Sequence, residues 1–189
     1  MKKRLACGVI LFGLPLFCLG GQLTPQVRSR AITVISELEK IEKEQAGRGA
    51  RGGRTYTVSE DDLNAFVAYR IVSDQERYVK SCELKLQPQN RVEGKILIDV
   101  SGQLLTILLP PKVELLFSAG VETRAGKIRI TMDNLFMGTQ RLSPAFIDTV
   151  IAVVSGLEGV KATSLKDWYD LPYGIRRMET GAGRLVLCY

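Results

Sequence analysis

Glu60-Asp61-Asp62 is a run of three consecutive carboxylates, a residue type suited to holding a cation or to general acid–base work. The run follows Ser59 and precedes Leu63, Phe66, Val67 and Ile71, which recur at helical spacing. A helix capped by Ser59, with Asp62 three residues on and acids at the positive end of its dipole, accounts for the same residues more simply. An enzyme working through Asp61 and Asp62 therefore stands behind the capping reading.

The chain contains no histidine. That removes the Ser-His-Asp triad, the Cys-His pair and almost every catalytic zinc site. Gly120 to Lys127 has the outline of a phosphate loop, but one residue too many separates its glycines, and Ile128 stands where Ser or Thr would hold magnesium. Paired carboxylates also serve glycosidases, yet Trp168 is the only tryptophan, too little for an aromatic sugar platform. The sequence thus points to a protein that is not an enzyme and needs no cofactor or metal.

The first segment must be set aside before charge and cysteines are weighed. Lys2-Lys3-Arg4 precedes an apolar stretch from Leu5 to Leu19 and small residues at Gly20 and Gly21. This is the layout of an export signal over residues 1–21, shorter than the roughly 20 apolar residues a spanning helix needs; retention as an N-terminal anchor stays open. Phe17 stands before Cys18 where lipoprotein processing wants a small residue. The full chain carries 26 Lys and Arg against 20 Asp and Glu, a net charge of +6; without Lys2, Lys3 and Arg4 it is 23 against 20, or +3. That balance gives no reason to expect nucleic acid and is compatible with an anionic membrane surface. Export places the protein in the periplasm, or against the outer side of the inner membrane. In that oxidising compartment Cys82 and Cys188, each on an expected strand, are either a disulfide or two buried thiols. A bridge between them would close a long loop, worth about 4 kcal/mol in the chain-entropy picture.

The elements that position these residues follow from periodicity. Val27, Ala31, Val34, Leu38 and Ile41 make a narrow apolar stripe on a helix spanning about 22–46, opened by Pro25. Glu37, Glu39, Lys40, Glu42, Lys43 and Glu44 occupy its outer face. This helix either docks on its own domain or offers a grip for a protein partner. Residues 47–54, rich in Gly and Arg, read as a linker to a single domain over 55–189.

Within that domain, apolar residues alternate in Cys82–Gln87, Val92–Val100, Val113–Ala119 and Ile128–Asp133. A period of two with polar alternates predicts an antiparallel sheet with one dry face. The leucine run of Leu104, Leu105, Ile107, Leu108 and Leu109 does not alternate; it is either a strand buried on both faces or an apolar tip at the mouth of a cavity. Ser143-Pro144 starts a helix in which Phe146, Ile147, Val150, Ile151, Val153, Val154 and Leu157 cover most of the circumference. A helix that apolar is expected to be almost wholly buried. Leu171-Pro172 and a closing hairpin to Tyr189 complete an α+β chain.

The succession from Thr55-Tyr56-Thr57-Val58-Ser59-Glu60-Asp61-Asp62-Leu63-Asn64 through long alternating strands, a Ser-Pro-initiated apolar helix, Leu-Pro and a last strand resembles the small bacterial periplasmic proteins of the tubular lipid-binding (TULIP-like) group. The likeness spans about Thr55 to Tyr189, and its one motif-like piece is Val58–Asn64. It implies a long curved antiparallel sheet wrapped around two helices, with Asn64 bonding backbone near the helix start. It further implies that an acyl chain is sequestered between sheet and helices. The walls would be Leu84, Leu86, Ile96, Ile98, Val100, Leu115, Phe117, Ile130 and Met132 from strands, and Phe66, Phe146, Ile147, Val150 and Ile151 from helices. Leu105, Leu108 and Leu109 would form the mouth, in contact with membrane. The competing reading is an envelope scaffold with a filled core, binding a protein through residues 25–45.

Overall fold

The computed structural model describes residues 23–48, 53–76, 78–101, 110–143, 145–157 and 164–189. The export signal (1–21), much of the expected linker, and Leu105, Leu108 and Leu109 lie outside the described residues, as do the side chains of Val153, Val154 and Leu157. In chain order the elements are α1 (Pro25–Arg48), β1 (Thr55–Ser59), α2 (Glu60–Ser73), β2 (Val79–Gln87), β3 (Arg91–Asp99), β4 (Lys112–Arg124), β5 (Lys127–Met137), β6 (Gln140–Arg141), α3 (Ala145–Leu157), β7 (Tyr169–Asp170), a 3-10 turn (Pro172–Gly174), β8 (Arg177–Gly181) and β9 (Arg184–Cys188). Among the described residues the chain is α+β, with a curled antiparallel half-barrel and three α-helices.

The four alternating stretches become β2 to β5, in a sheet ordered β2-β3-β4-β5-β6; β2, β4 and β5 run longer than their alternation, and β3 is offset from its stretch by one residue. Tight turns fix the register. Gln89 and Asn90 take positive φ (62° and 57°) in the first hairpin, and Ala125-Gly126 (50° and 77°) join β4 to β5 as a two-residue loop. The inward side chains line up in rows across the strands, and a bulge at Ser118/Ala119, where the β4–β5 register skips Asp133, keeps β5 in step. Cys82, Ile96, Leu115 and Met137 form one cross-strand row. Leu84, Gly94, Phe117 and Leu135 form the next, followed by Leu86, Val92, Ala119 and Met132.

Gly94 is required in its row: a Cβ there would lie 2.4 Å from the Phe117 ring and 2.6 Å from the Glu83 carbonyl oxygen. The ring of Phe117 thus lies over the neighbouring strand's backbone, filling the space a side chain would take.

A second sheet, ordered β1-β9-β8, closes one end of the half-barrel. Side chains stitch it to the hairpin ends of the larger sheet. Thr180 N–H donates to Asn90 Oδ1 (2.9 Å), the Thr180 hydroxyl donates to Gln87 O (2.7 Å), and Thr123 Oγ1 both donates to Met178 O and accepts from Met178 N–H.

The first helix is part of this body. Ala31, Val34, Leu38 and Ile41 are buried, and the last three join the core that also holds Val58, Leu84, Leu115, Leu185 and Leu187. The helix packs on α2 and on the 3-10 turn, where a Cβ on Gly174 would meet Gln45 at 2.9 Å. The apolar stripe of α1 is therefore taken up by the chain's own core, and its outward face is charged apart from Ile32, which is 50% exposed.

Candidate functional site

The residues expected to line a trough do share one face, but they are not equally covered. Leu84, Leu86, Val100, Leu115, Phe117 and Ile130 are buried, and Leu84 has no exposed surface (0%). Ile96, Ile98, Met132 and Phe66 are half-buried against the same core, as are Phe146, Ile147 and Val150 of α3. Ile151 is half-buried too.

The gradient has a direction. Against α2 the β2 positions Cys82, Leu84 and Leu86 are all buried. On β5 the inward positions alternate between buried Ile130 and Leu135 and half-buried Ile128, Met132 and Met137.

Helix α3 corrects an expectation. Its apolar composition suggested near-complete burial, yet Phe146, Ile147, Val150 and Ile151 are all partly open, Ala145 and Ala152 are exposed, and among its described side chains only Ser155 is buried. A helix apolar around most of its surface needs cover on more than one side; Phe146, Ile147 and Val150 reach the core only partly buried. Ser143 starts the helix by accepting the Ala145 N–H (3.3 Å), as its position before the helix predicted. Asp148 holds the returning chain, accepting from the Ser164 hydroxyl (2.8 Å) and the Leu165 N–H (3.2 Å).

The acidic triplet is engaged structurally. Ser59 Oγ accepts the Asp62 N–H at 3.1 Å, the expected cap. Arg30 of α1 bridges Asp61 and Asp62 (3.1 and 3.3 Å). Glu60 does something its sequence did not reveal: its carboxylate accepts the Leu86 N–H at 2.6 Å. One helical turn later Asn64 Nδ2 donates to Leu84 O at 3.1 Å, while its Oδ1 is buried without a partner. Glu60 and Asn64 thus clasp the outer edge of β2 at two successive open positions. Asn64 bonds backbone as expected, but on the sheet rather than at its own helix start. The signal was present as a polar i, i+4 pair on an otherwise apolar helix face.

Cys82 and Cys188 are not joined, so the disulfide alternative is corrected. Their strands belong to different sheets: Cys82 is buried opposite Ile96, and Cys188 ends β9 between Thr55 and Arg177. Among the described residues no group of three His, Cys, Asp or Glu is placed to hold a metal, and no helix is long and apolar enough to cross a membrane.

The sheet's outer face is wet and charged. Lys95 pairs with Glu114 (2.8 Å), Arg91 with Asp133 (2.9 Å) and Arg129 with Glu122 (2.6 Å). Burial pushes the Glu83 carboxyl up, Lys95 draws it down and Glu114 adds to the rise. Hydrogen bonds from Ser101 hold Asp99 below the usual carboxylate range. Burial, then Glu37 and Asp62, raise the Tyr56 phenol, which marks how closely β1 meets α1 and α2. Leu116 interrupts the polar face, 40% exposed, opposite Lys95 and Phe136.

Comparison with protein-family models, with curated proteins and with solved structures yields no match.

Proposed function

We propose that this chain is a non-enzymatic protein of the cell envelope that binds or shuttles a lipid acyl chain between the curled sheet and α3. The observation that carries the reading is the half-covered state of the most apolar helix. Phe146, Ile147 and Val150 lie on the same core as half-buried Ile96, Ile98 and Met132, so hydrocarbon added between them would bury surface that the chain alone leaves partly wet. Each methylene taken up contributes about 0.8 kcal/mol. The arrangement needs no reacting group, in keeping with a chain without histidine whose acidic triplet serves as cap, ion-pair partner and strand clasp. The export signal and the resemblance of Val58–Asn64 to the tubular lipid-binding group support the same compartment and cargo. Leu105, Leu108 and Leu109 remain the proposed mouth.

The test is direct. Protein purified from its own membrane fraction in mild conditions is expected to release phospholipid or fatty acid on solvent extraction, read by mass spectrometry. A fluorescent fatty acid should bind with a saturable signal that Phe146→Asp abolishes. Empty protein that also fails to take up the probe would end the reading.

The alternative, an envelope scaffold, is favoured by one observation: the outward face of α1, with Glu39, Glu42 and Lys43 exposed, is free of the core. Because the opposite stripe is buried, a partner would meet a charged face that also carries the exposed Ile32. Reversing Glu39 and Glu42 to Lys should then abolish co-purification of a partner while leaving fatty-acid uptake intact.

A further inference from the structure

One row on the outer face of the larger sheet runs from acid to base. The register sets Glu83 beside Lys95, Lys95 beside Leu116, Leu116 beside Phe136 and Phe136 beside Arg141, one residue from each strand from β2 to β6. Their sequence neighbours Cys82, Leu84, Leu115, Phe117 and Leu135 are buried, so alternation turns this row outward. It has a carboxylate at one end, a guanidinium at the other and Leu116 at its centre, on the middle strand of the five.

The centre of the row has nothing over it. Leu116 is 40% exposed, and no other large apolar side chain of β2 to β5 is exposed among the described residues. Half-buried Phe136 lies beside it, and half-buried Leu97, opposite Glu114, lies on its diagonal. The ends are unmatched as well. Elsewhere on this face Arg91 is paired with Asp133 and Arg129 with Glu122, and within the row Lys95 is held by Glu114 (2.8 Å). Glu83 and Arg141 make no ion pair among the described residues. Arg141 donates instead to the amide oxygen of Asn134 (3.0 Å).

We propose that this row is the contact of a two-fold dimer, in which a second copy of the chain lies face to face on the first. A two-fold interface must be complementary to itself, and the row is so about one axis. An axis running along β4 through Leu116 reverses the order of the strands. Leu116 then meets the Leu116 of the second copy, Lys95 meets its Phe136, and Glu83 meets its Arg141. An axis running across the strands would set Glu83 on Glu83 and Arg141 on Arg141, like charge on like, so the charges select the first arrangement. Side-chain length agrees with it. The outside of a curled sheet is convex, so two copies approach most closely at β4 and diverge toward β2 and β6. Leucine stands where the gap is smallest. The stem of Lys95 and the Phe136 ring come next, and the long charged pair stands two strands out, about 10 Å from the axis. Convexity also keeps the contact small, in the class of weak, reversible associations below about 1,200 Å². The proposal concerns the outer face and does not depend on the acyl-chain reading.

Sedimentation velocity of the purified protein over a wide range of concentration tests it. A reversible monomer–dimer equilibrium is expected, and Leu116→Glu should abolish the dimer while circular dichroism shows the fold retained. Glu83→Arg and Arg141→Glu should each weaken association roughly tenfold. The two exchanges together should restore it, because they rebuild the same pair in reverse. A chain that stays monomeric at every concentration overturns the proposal, as does a dimer indifferent to Leu116→Glu. A double exchange as weak as either single one also overturns it, since Glu83 and Arg141 would then not face each other.

Discussion

The two flanks of the larger sheet present apolar residues at the same period, yet β2 is sealed and β5 is not. On the β2 side α2, itself packed on α1, lies against the strand, and Cys82, Leu84 and Leu86 are buried. On the β5 side Met132 and Met137 are only half-buried against the core, and the described apolar side chains of α3, which join the same core, are half-open too. Apolar content and burial therefore run in opposite order. An amphipathic helix matches its stripe to the surface it finds; α3 carries more apolar surface than one sheet face can cover.

The largest effects should separate these flanks. Leu84→Ala, at a site without exposed surface, is expected to cost about 3 kcal/mol in urea denaturation. Phe146→Ala should cost about 1 kcal/mol, because its surroundings are already open. Equal losses would mean that α3 belongs to a filled core, and the comparison would collapse.

Gly94→Ala tests how tightly the interior is set. Its methyl would meet the Phe117 ring and the Glu83 carbonyl, at a cost of about 2 kcal/mol. Adding Phe117→Leu should recover only part of this, since the carbonyl contact at 2.6 Å remains.

The clasp on β2 comes next. Glu60→Ala leaves the Leu86 N–H without its acceptor and should cost about 1.5 kcal/mol. Hydrogen exchange at Leu86 should speed up, while β5 amides keep their rates. Arg30→Ala, which removes only partly exposed ion pairs, should cost less than about 0.5 kcal/mol.

A smaller effect sits on the outer face of β2. The Glu83 carboxyl is held above its ordinary value in the fold, so the folded chain keeps that proton more tightly than the unfolded one. The stabilisation is complete below the unfolded value of about 4.3 and disappears as pH rises through the folded value. Glu83→Gln should therefore raise the thermal midpoint at pH 7, within about 2 °C, and lose the advantage at pH 4 and below. Reductant, finally, should not shift the midpoint at all, because Cys82 and Cys188 share no bond.

Much of the architecture was legible because alternation reports directly on a half-buried strand. The four strands, the Ser59 cap, the Ser143 start and the Ala125-Gly126 turn are all local signals. What escaped the sequence depends on partners distant in the chain. Whether anything covers Phe146 or Ile151 is settled by neighbouring elements, not by their own spacing. The same holds for Glu60 and Asn64, whose donor (Leu86 N–H) and acceptor (Leu84 O) lie on a strand 26 and 20 residues on. Arg54 and Arg176 flank the end of β9 only because that strand sits between β1 and β8, an order that no run of residues announces. The two cysteines looked like a pair for the opposite reason: composition brought them together, and sheet membership separates them.

The grip of Glu60 and Asn64 on β2 has a bearing on how the molecule behaves in a crowd. A bare strand rim is a template on which a second copy can lay its own strand, the first step toward fibres. Here that rim is plugged at Leu84 and Leu86 by the helix that begins the same domain. Packed densely in a narrow compartment, copies of this chain find no docking groove along that stretch, and loosening the plug would be the change that lets them polymerise.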